Sequence, residues 1–63
     1  MLDNQRLNEL RKVINLKALC EKSNLKYTTI YQRLLNNNPL RPLEIYQLER
    51  GLKKYGLNLI KEQ

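Results

Sequence analysis

Hydrophobic side chains recur at helical spacing along two neighbouring stretches of the chain. In the first, residues 16–23, Leu16, Leu19 and Cys20 share one face. In the second, residues 26–36, the apolar and aromatic side chains fall within an arc of roughly 140°. They are Tyr27, Ile30, Tyr31, Leu34 and Leu35. The pattern predicts two short helices, each with one face buried against the rest of the domain.

The opposite side of the second stretch carries side chains that are short or able to form hydrogen bonds. They are Thr28, Thr29, Gln32, Arg33 and Asn36. Between the two stretches, Ser23, Asn24 and Leu25 cannot continue a regular helix. Asn24 is suited to the left-handed conformation that ends many helices, and Leu25 returns the chain to the core. We therefore expect a tight turn centred on Asn24.

A first helix is predicted over residues 3–12, with Asp3 as its N-cap. Apolar residues then follow at helical spacing: Leu7, Leu10 and Ile14. Asn15 is the expected N-cap of the next helix, so only a short link joins the first two helices.

A fourth helix is predicted over residues 42–55, after a loop that contains two prolines. Asn38 and Arg41 each precede a proline and should be extended. Pro42 suits the first helical position, where its missing N–H does no harm, and Glu44 suits the positive end of the helix. The apolar stripe of this helix consists of Ile45, Leu48, Leu52 and Tyr55.

Gly51 and the chain end each leave two structural alternatives open. Gly51 inside the fourth helix either permits a close helix contact or has no special role. Gly56 is expected to be the C′ residue that closes that helix, with Leu57 as the hydrophobic contact after it. Residues 57–60 either form a tail packed on the helices, which we favour, or a strand that pairs with its copy in a dimer. The polar end is Lys61, Glu62 and Gln63.

The length of 63 residues and an apolar content of 41% predict a single globular domain over residues 1–63. Because Trp and Phe are absent, the interior must consist mainly of leucine. The expected β-branched contributors are Val13, Ile14, Ile30 and Ile45. The expected fold class is all-α, a compact domain of four helices with a short terminal turn as an optional fifth.

The formal net charge of +6 suggests a polyanionic partner, with nucleic acid as the leading candidate. No acidic residue occurs between Lys22 and Leu43, a window that contains the predicted turn, the helix after it and the loop. The basic residues of this window are Lys22, Lys26, Arg33 and Arg41. The alternative is a solvated basic face without a partner.

Residue types needed for catalysis are scarce. Histidine is absent, the six carboxylates are scattered, and no glycine-rich phosphate loop occurs. Cys20 is the only cysteine and lies on an apolar helical face, where a buried thiol is expected. We expect no enzymatic activity, no metal, no cofactor and a reducing, intracellular setting. No apolar run is long enough to span a membrane, so no membrane association is expected.

Residues 16–35 resemble the helix-turn-helix motif of the Cro and phage-repressor family of DNA-binding domains. Cys20 stands where the family has a small residue at the helix crossing, and Asn24 stands at the turn, which is usually glycine. The family's apolar positions after the turn and in the second helix are matched by Leu25, Ile30 and Leu34. At Ser23 and Arg33 the family is usually apolar.

The resemblance implies that the second helix of the motif lies in the major groove of double-stranded DNA. The residues it assigns to DNA binding are Lys26, Tyr27, Thr28, Tyr31, Gln32, Arg33, Asn38 and Arg41. Gln32 could read adenine, Thr28 could meet a thymine methyl, and Lys26 could reach a phosphate. The two tyrosines are either DNA contacts or half-buried core. Arg33 is expected to point away from the core, solvated or against the DNA backbone.

The expected function is therefore that of a small transcriptional regulator from a phage or mobile element, in the cytoplasm of a bacterial host. It would be a Cro-like or autoregulating repressor, because no sensor domain is evident, and no small-molecule ligand is expected. A homodimer is an option. The alternative is a helical protein-interaction module that does not read DNA: an adaptor, an antitoxin-like partner or a small virion component.

Overall fold

Four α-helices and a short terminal 3-10 turn form the fold, as the sequence predicts. The computed structural model describes residues 1–61; the predicted polar end extends beyond them, and Glu62 and Gln63 lie outside the described residues. The helices are α1, Asn4–Leu10; α2, Leu16–Lys22; α3, Tyr27–Leu35; and α4, Pro42–Tyr55; the 3-10 turn is Gly56–Leu59. The all-α fold class is confirmed, and the observed boundaries lie within two residues of the predicted ones. Among residues 1–61, no helix has the length and the apolar character needed to cross a bilayer.

Both predicted N-caps are present. The Asp3 carboxylate accepts a hydrogen bond from the Arg6 backbone N–H at 2.8 Å, and the Asn15 side chain accepts one from Ala18 at 3.1 Å. Helix α1 ends earlier than predicted because the following backbone hydrogen bonds tighten to a spacing of three residues, as in the 2.9 Å bond from Val13 to Leu10. This turn connects the end of α1 at Leu10 to the start of α2 at Leu16.

The turn between α2 and α3 has the predicted left-handed residue, since Asn24 has φ 62°. The N–H of Leu25 donates to the Cys20 carbonyl at 2.8 Å, and the N–H of Asn24 donates to the Glu21 carbonyl at 3.2 Å. This pair of bonds is the Schellman arrangement that satisfies carbonyls at a helix end.

Helix α3 ends in the same way, which the sequence analysis did not predict. Asn37 has φ 55°, and the N–H of Asn38 donates to the Arg33 carbonyl at 2.8 Å. The three consecutive asparagines at 36–38 therefore include one that occupies a left-handed position.

Helix α4 ends at Tyr55 with Gly56 as its C-cap residue, as predicted, but Gly56 has a right-handed φ of −52° and the chain continues into the 3-10 turn.

The core surrounds α2, which packs against α3, α4 and the terminal turn. The side chains without solvent exposure are Leu7, Leu19, Cys20, Ile30 and Leu48. Val13 and Leu35 were expected in the interior and are instead 54% and 57% exposed. Val13 lies in the turn between α1 and α2, and Leu35 is the last residue of α3, so the buried stripe of α3 is narrower than its sequence suggested.

Cys20 is a buried small hydrophobe, as predicted. Loss of hydration on burial, and secondarily the charge of Glu21, raise the pKa of its thiol from 9.0 to about 11. The thiol is therefore protonated at neutral pH and serves as packing at the crossing of α2 with its neighbours.

Gly51 permits a close contact between α4 and α2, which decides the alternative left open by the sequence. A Cβ atom at this position would overlap Ser23 Oγ and would lie 3.1 Å from a methyl carbon of Leu19. Ser23 Oγ is buried and has no hydrogen-bond partner among the residues that the structure describes.

The chain end packs on its own helices rather than standing free as a strand. Leu59 is buried, and its carbonyl accepts a 2.7 Å hydrogen bond from the Asn15 N–H. Ile14 and Ile60 form an isolated antiparallel bridge. Leu57 was expected to cap α4 through a hydrophobic contact, but it is 87% exposed.

The left-handed turn can be tested by substitution at Asn24. Asn24→Gly should leave the free energy of unfolding unchanged or slightly higher, because glycine adopts this conformation freely. Asn24→Val should lower it by about 1–2 kcal/mol, since a β-branched residue is strained there. Urea denaturation measures both. As a control, Val at the exposed, right-handed Asn36 should cost less than about 0.5 kcal/mol; equal losses at the two positions would contradict the turn.

The contact between α2 and α4 can be tested by a double-mutant cycle. Gly51→Ala should lower the free energy of unfolding by about 1–3 kcal/mol through overpacking, although alanine is the better helix former. Ser23→Ala should be nearly neutral because its hydroxyl is unpartnered in the described chain. The double variant should recover much of the loss, since the Ser23 Cβ would lie 3.5 Å from the new methyl. Purely additive effects would show that the two residues do not meet.

Candidate nucleic-acid interface

The outward face of α3 forms a shallow polar groove with the loop that follows it. Its lining consists of Thr28, Thr29, Gln32, Arg33, Asn36 and Asn38, and none of these side chains is acidic. We call this surface the α3 groove. The structure thus brings together four residues that the sequence assigned to DNA binding, namely Thr28, Gln32, Arg33 and Asn38. Thr29 and Asn36 are additional members, which the predicted polar side of the helix already contained.

The α3 groove offers both hydrogen-bond donors and acceptors to a ligand. Thr28, Thr29 and Gln32 are exposed on successive turns of the helix. The side-chain oxygen of Gln32, Oε1, accepts only a long 3.4 Å contact from the Asn36 side-chain amide. Such a contact is weak, so the Gln32 amide can turn toward another partner at little cost.

Arg33 does not point away from the core as the sequence analysis expected. Its Nε lies 2.8 Å from a carboxylate oxygen of Glu44, and the two side chains are only 20% and 11% exposed. The Arg33 side chain is therefore directed largely inward. At this position the resembled family usually has an apolar residue. Ser23, the other departure from the family pattern, is likewise buried.

Glu44 joins the end of α3 to the start of α4. Besides the ion pair with Arg33, its carboxylate accepts a 2.9 Å hydrogen bond from the backbone N–H of Arg41, the N-cap residue of α4. The first acidic residue after the basic window is thus neutralised by Arg33. Consequently its negative charge is not presented to a polyanion at the α3 groove.

The two tyrosines of α3 are stacked on each other. The ring centroids of Tyr27 and Tyr31 are 5.5 Å apart with 20° between the planes, and both side chains are half-buried. Tyr27 also packs against the core, and the Arg11 guanidinium lies 5.8 Å from the centre of the Tyr31 ring. Tyr27 therefore has a packing role. Tyr31 remains partly open to solvent beside a cation.

The loop after α3 is held by a residue that the sequence analysis did not single out. The Asn4 side chain donates to the backbone carbonyl of Asn38 and accepts from the Leu40 N–H at 3.0 Å. Asn4 is the first residue of α1 and lies more than 30 positions away along the chain. No local sequence pattern therefore predicts this contact. It fixes the loop that carries Asn38 and Arg41, both of which are exposed.

The other two cations that the sequence assigned to DNA binding, Lys26 and Arg41, lie at helix starts. Lys26 is the exposed N-cap residue of α3, and it forms no side-chain capping bond. Arg41 has the extended backbone predicted for a residue before proline, with φ −77° and ψ 153°. Both side chains are available to a ligand that approaches the N-terminal ends of α3 and α4.

Comparisons with protein-family models, with curated proteins and with solved structures found no match to this chain. Within residues 1–61, no group of His, Cys, Asp and Glu side chains is arranged to hold a metal ion. The geometry and charge of the α3 groove are therefore the features of this chain that bear on its function.

The structural role of Arg33 can be separated from DNA contact by measuring stability. Arg33→Ala should lower the free energy of unfolding by about 1–3 kcal/mol, because it leaves a mostly buried Glu44 carboxylate unpaired. Adding Glu44→Gln should then cost little more, since the pair is already broken. The neighbouring control Gln32→Ala should change stability by less than about 0.5 kcal/mol. If both alanine variants unfold at the same urea concentration, the ion pair does not stabilise the fold.

Proposed function

We propose that this protein binds double-stranded DNA sequence-specifically and places α3 in the major groove. It acts as a small transcriptional regulator of a phage or mobile element, a Cro-like or autoregulating repressor in the cytoplasm of a bacterial host. The proposal assigns it no enzymatic activity and no cofactor. Blocking a promoter requires only that the protein occupies its operator.

The observation that carries this proposal is the α3 groove itself. A helix of nine residues presents exposed hydroxyl and amide groups on one side, while Ile30 and Leu34 on the other side are buried. An α-helix with its side chains is about 10–12 Å across, which fits the major groove of about 12 Å. The Schellman turns at both ends fix the orientation of this helix relative to α2 and α4.

The net positive charge of the chain also supports double-stranded DNA as the partner. The chain carries a formal net charge of +6, and the residues that line the α3 groove include no carboxylate. Lys26 and Arg41 are exposed at the starts of α3 and α4. Cations in these places can contact phosphates on either side of the bases that α3 faces, and such contacts set the position of the protein on the duplex.

The polar side chains in the middle of the α3 groove are those that we propose to contact the DNA bases. Gln32 can pair with the N6 and N7 atoms of adenine through both ends of its amide. Thr28, one turn earlier, can contact a thymine methyl or a base edge. Arg33, which was expected to be solvated or against the DNA backbone, is occupied by Glu44, so we remove it from the residues proposed to contact DNA.

A homodimer on a palindromic operator is part of this proposal. Val13, Leu57 and Ile60 are large apolar side chains that a single chain leaves more than half exposed. The backbones of the two segments that carry them are joined by the hydrogen bond from Lys61 N–H to the Val13 carbonyl, at 2.8 Å. A second copy that covers them would fix the separation of the two α3 helices at about 34 Å, one turn of DNA.

The alternative, a protein-interaction module, is supported by other exposed side chains. Leu35, Leu43 and Tyr46 are all more than half exposed near the end of α3 and the start of α4. Apolar groups at this border would suit a protein partner better than a phosphate backbone. Titration with random-sequence duplex DNA at low salt separates the two functions, because only the DNA-binding protein should bind it.

Two substitutions distinguish base reading from phosphate contact. Gln32→Ala should lose about 1–3 kcal/mol of binding free energy on the preferred duplex, with little change on a random duplex. Lys26→Ala should weaken binding to both duplexes and lower the salt dependence by about one unit. For the unmodified protein, the slope of log K against log salt should be roughly −4 to −5 if about five phosphates are contacted.

Fluorescence anisotropy on a duplex selected from a random pool, and on a scrambled duplex, measures these effects. Lys12→Ala serves as the charge-matched control for Lys26, because Lys12 is exposed in the turn before α2. A flat salt response, or equal behaviour of the Gln32 and Lys26 variants on both duplexes, would contradict the proposal.

A further inference from the structure

A second polar cavity lies between the C-terminal end of α2 and the C-terminal half of α4. Its volume is about 290 Å³, and it shares no lining residue with the α3 groove. Three cations, two amides and an aromatic ring contribute to its walls: Lys22, Arg50, Lys54, Asn24, Gln47 and Tyr55. We call it the α2–α4 cleft.

Positive charge is concentrated in the α2–α4 cleft. The ammonium groups of Lys22 and Lys54 lie 5.2 Å and 5.5 Å from the centre of the same Tyr55 ring. No side chain that lines the cleft is acidic. Among residues 1–61 the one ion pair is that of Arg33 with Glu44, so the cations of the cleft have no carboxylate at salt-bridge distance.

The neighbouring acidic residue on α4 is directed elsewhere. Glu49 precedes Arg50 in sequence, but its carboxylate accepts a 3.0 Å hydrogen bond from the Leu2 N–H and lines a different groove beside α1. Within residues 1–61, no carboxylate at salt-bridge distance therefore offsets the repulsion between the three cations of the cleft. An anion in the cleft would relieve it.

Helix dipoles explain only part of this arrangement. Lys22 and Lys54 lie in the last turns of α2 and α4, where a positive charge is favourable. Arg50 lies more than one turn before the end of α4, and the dipole effect falls off within the last turn. Its guanidinium lies 5.7 Å from the centre of the Tyr46 ring, outside the cleft lining. A guanidinium can bind two phosphate oxygens at once, with lysines as additional point charges.

We propose that the α2–α4 cleft is a binding site for a phosphate-bearing anion. Its volume accommodates a phosphate group together with part of the molecule that carries it. Two sources offer this chemistry, a free phosphate ester of the cell and a phosphodiester of the DNA backbone. The proposal does not depend on DNA binding, because a free phosphate can be tested on its own.

The test is a titration of the intact protein with inorganic pyrophosphate at constant ionic strength, followed by calorimetry and by amide NMR. Binding should saturate, with the largest shifts at Asn24, Arg50, Gly51 and Lys54. The double variant Arg50→Gln/Lys54→Gln should bind about tenfold more weakly, because two charge-assisted contacts are lost. The control Lys12→Gln/Lys53→Gln removes the same charge from exposed residues outside the cleft and should change affinity by less than about twofold.

The same variants titrated with duplex DNA identify the source of the phosphate. If DNA supplies it, the cleft variant should bind DNA more weakly than the control and with a smaller salt slope. If a free ester supplies it, the two variants should bind DNA alike while only the cleft variant loses pyrophosphate. Non-saturating pyrophosphate binding, or equal binding by the cleft and control variants, would overturn the proposal whatever the outcome with DNA.

Discussion

The burial of α2 is the constraint on which the rest of this small domain depends. A helix of seven residues is not stable alone in water, so its packing must hold it. Leu19 and Cys20 are completely buried, and Gly51 lets α4 approach α2 so closely that an added Cβ would meet Ser23 and Leu19. The left-handed Asn24 then directs the chain away from α2 at a fixed angle. The orientation of α3, and with it the α3 groove, follows from these contacts.

Local signals in the sequence were sufficient for the elements and most of their ends. Asp3, Asn15, Asn24 and Pro42 occupy the capping, turn and first-helical positions expected of them, because each such preference arises within a few residues of chain. Contacts between distant residues could not be read in this way. The tether from Asn4 to the loop after α3 has no local signature, and neither does the inward turn of Arg33.

The errors have related physical causes. A periodicity argument treats every apolar residue of a helix as buried, yet the burial of the last turn depends on what lies beyond the helix, as Leu35 illustrates. Gly56 permits a left-handed ending but does not require one, and the burial of Leu59 favours a continued right-handed turn. For the α3 groove, the sequence predicted the polar side chains and their shared face. It could not show that Glu44 neutralises Arg33, since that pair joins two helices.

Amide NMR during a titration with duplex DNA decides whether α3 is the element that meets DNA. If it is, saturable shifts should be largest at Thr28, Thr29 and Gln32, with further shifts at Lys26 and in the loop that carries Asn38. Amides of α3 that stay unchanged while the protein is saturated with DNA would show that another surface binds it, and an absence of binding at low salt would exclude DNA as the partner.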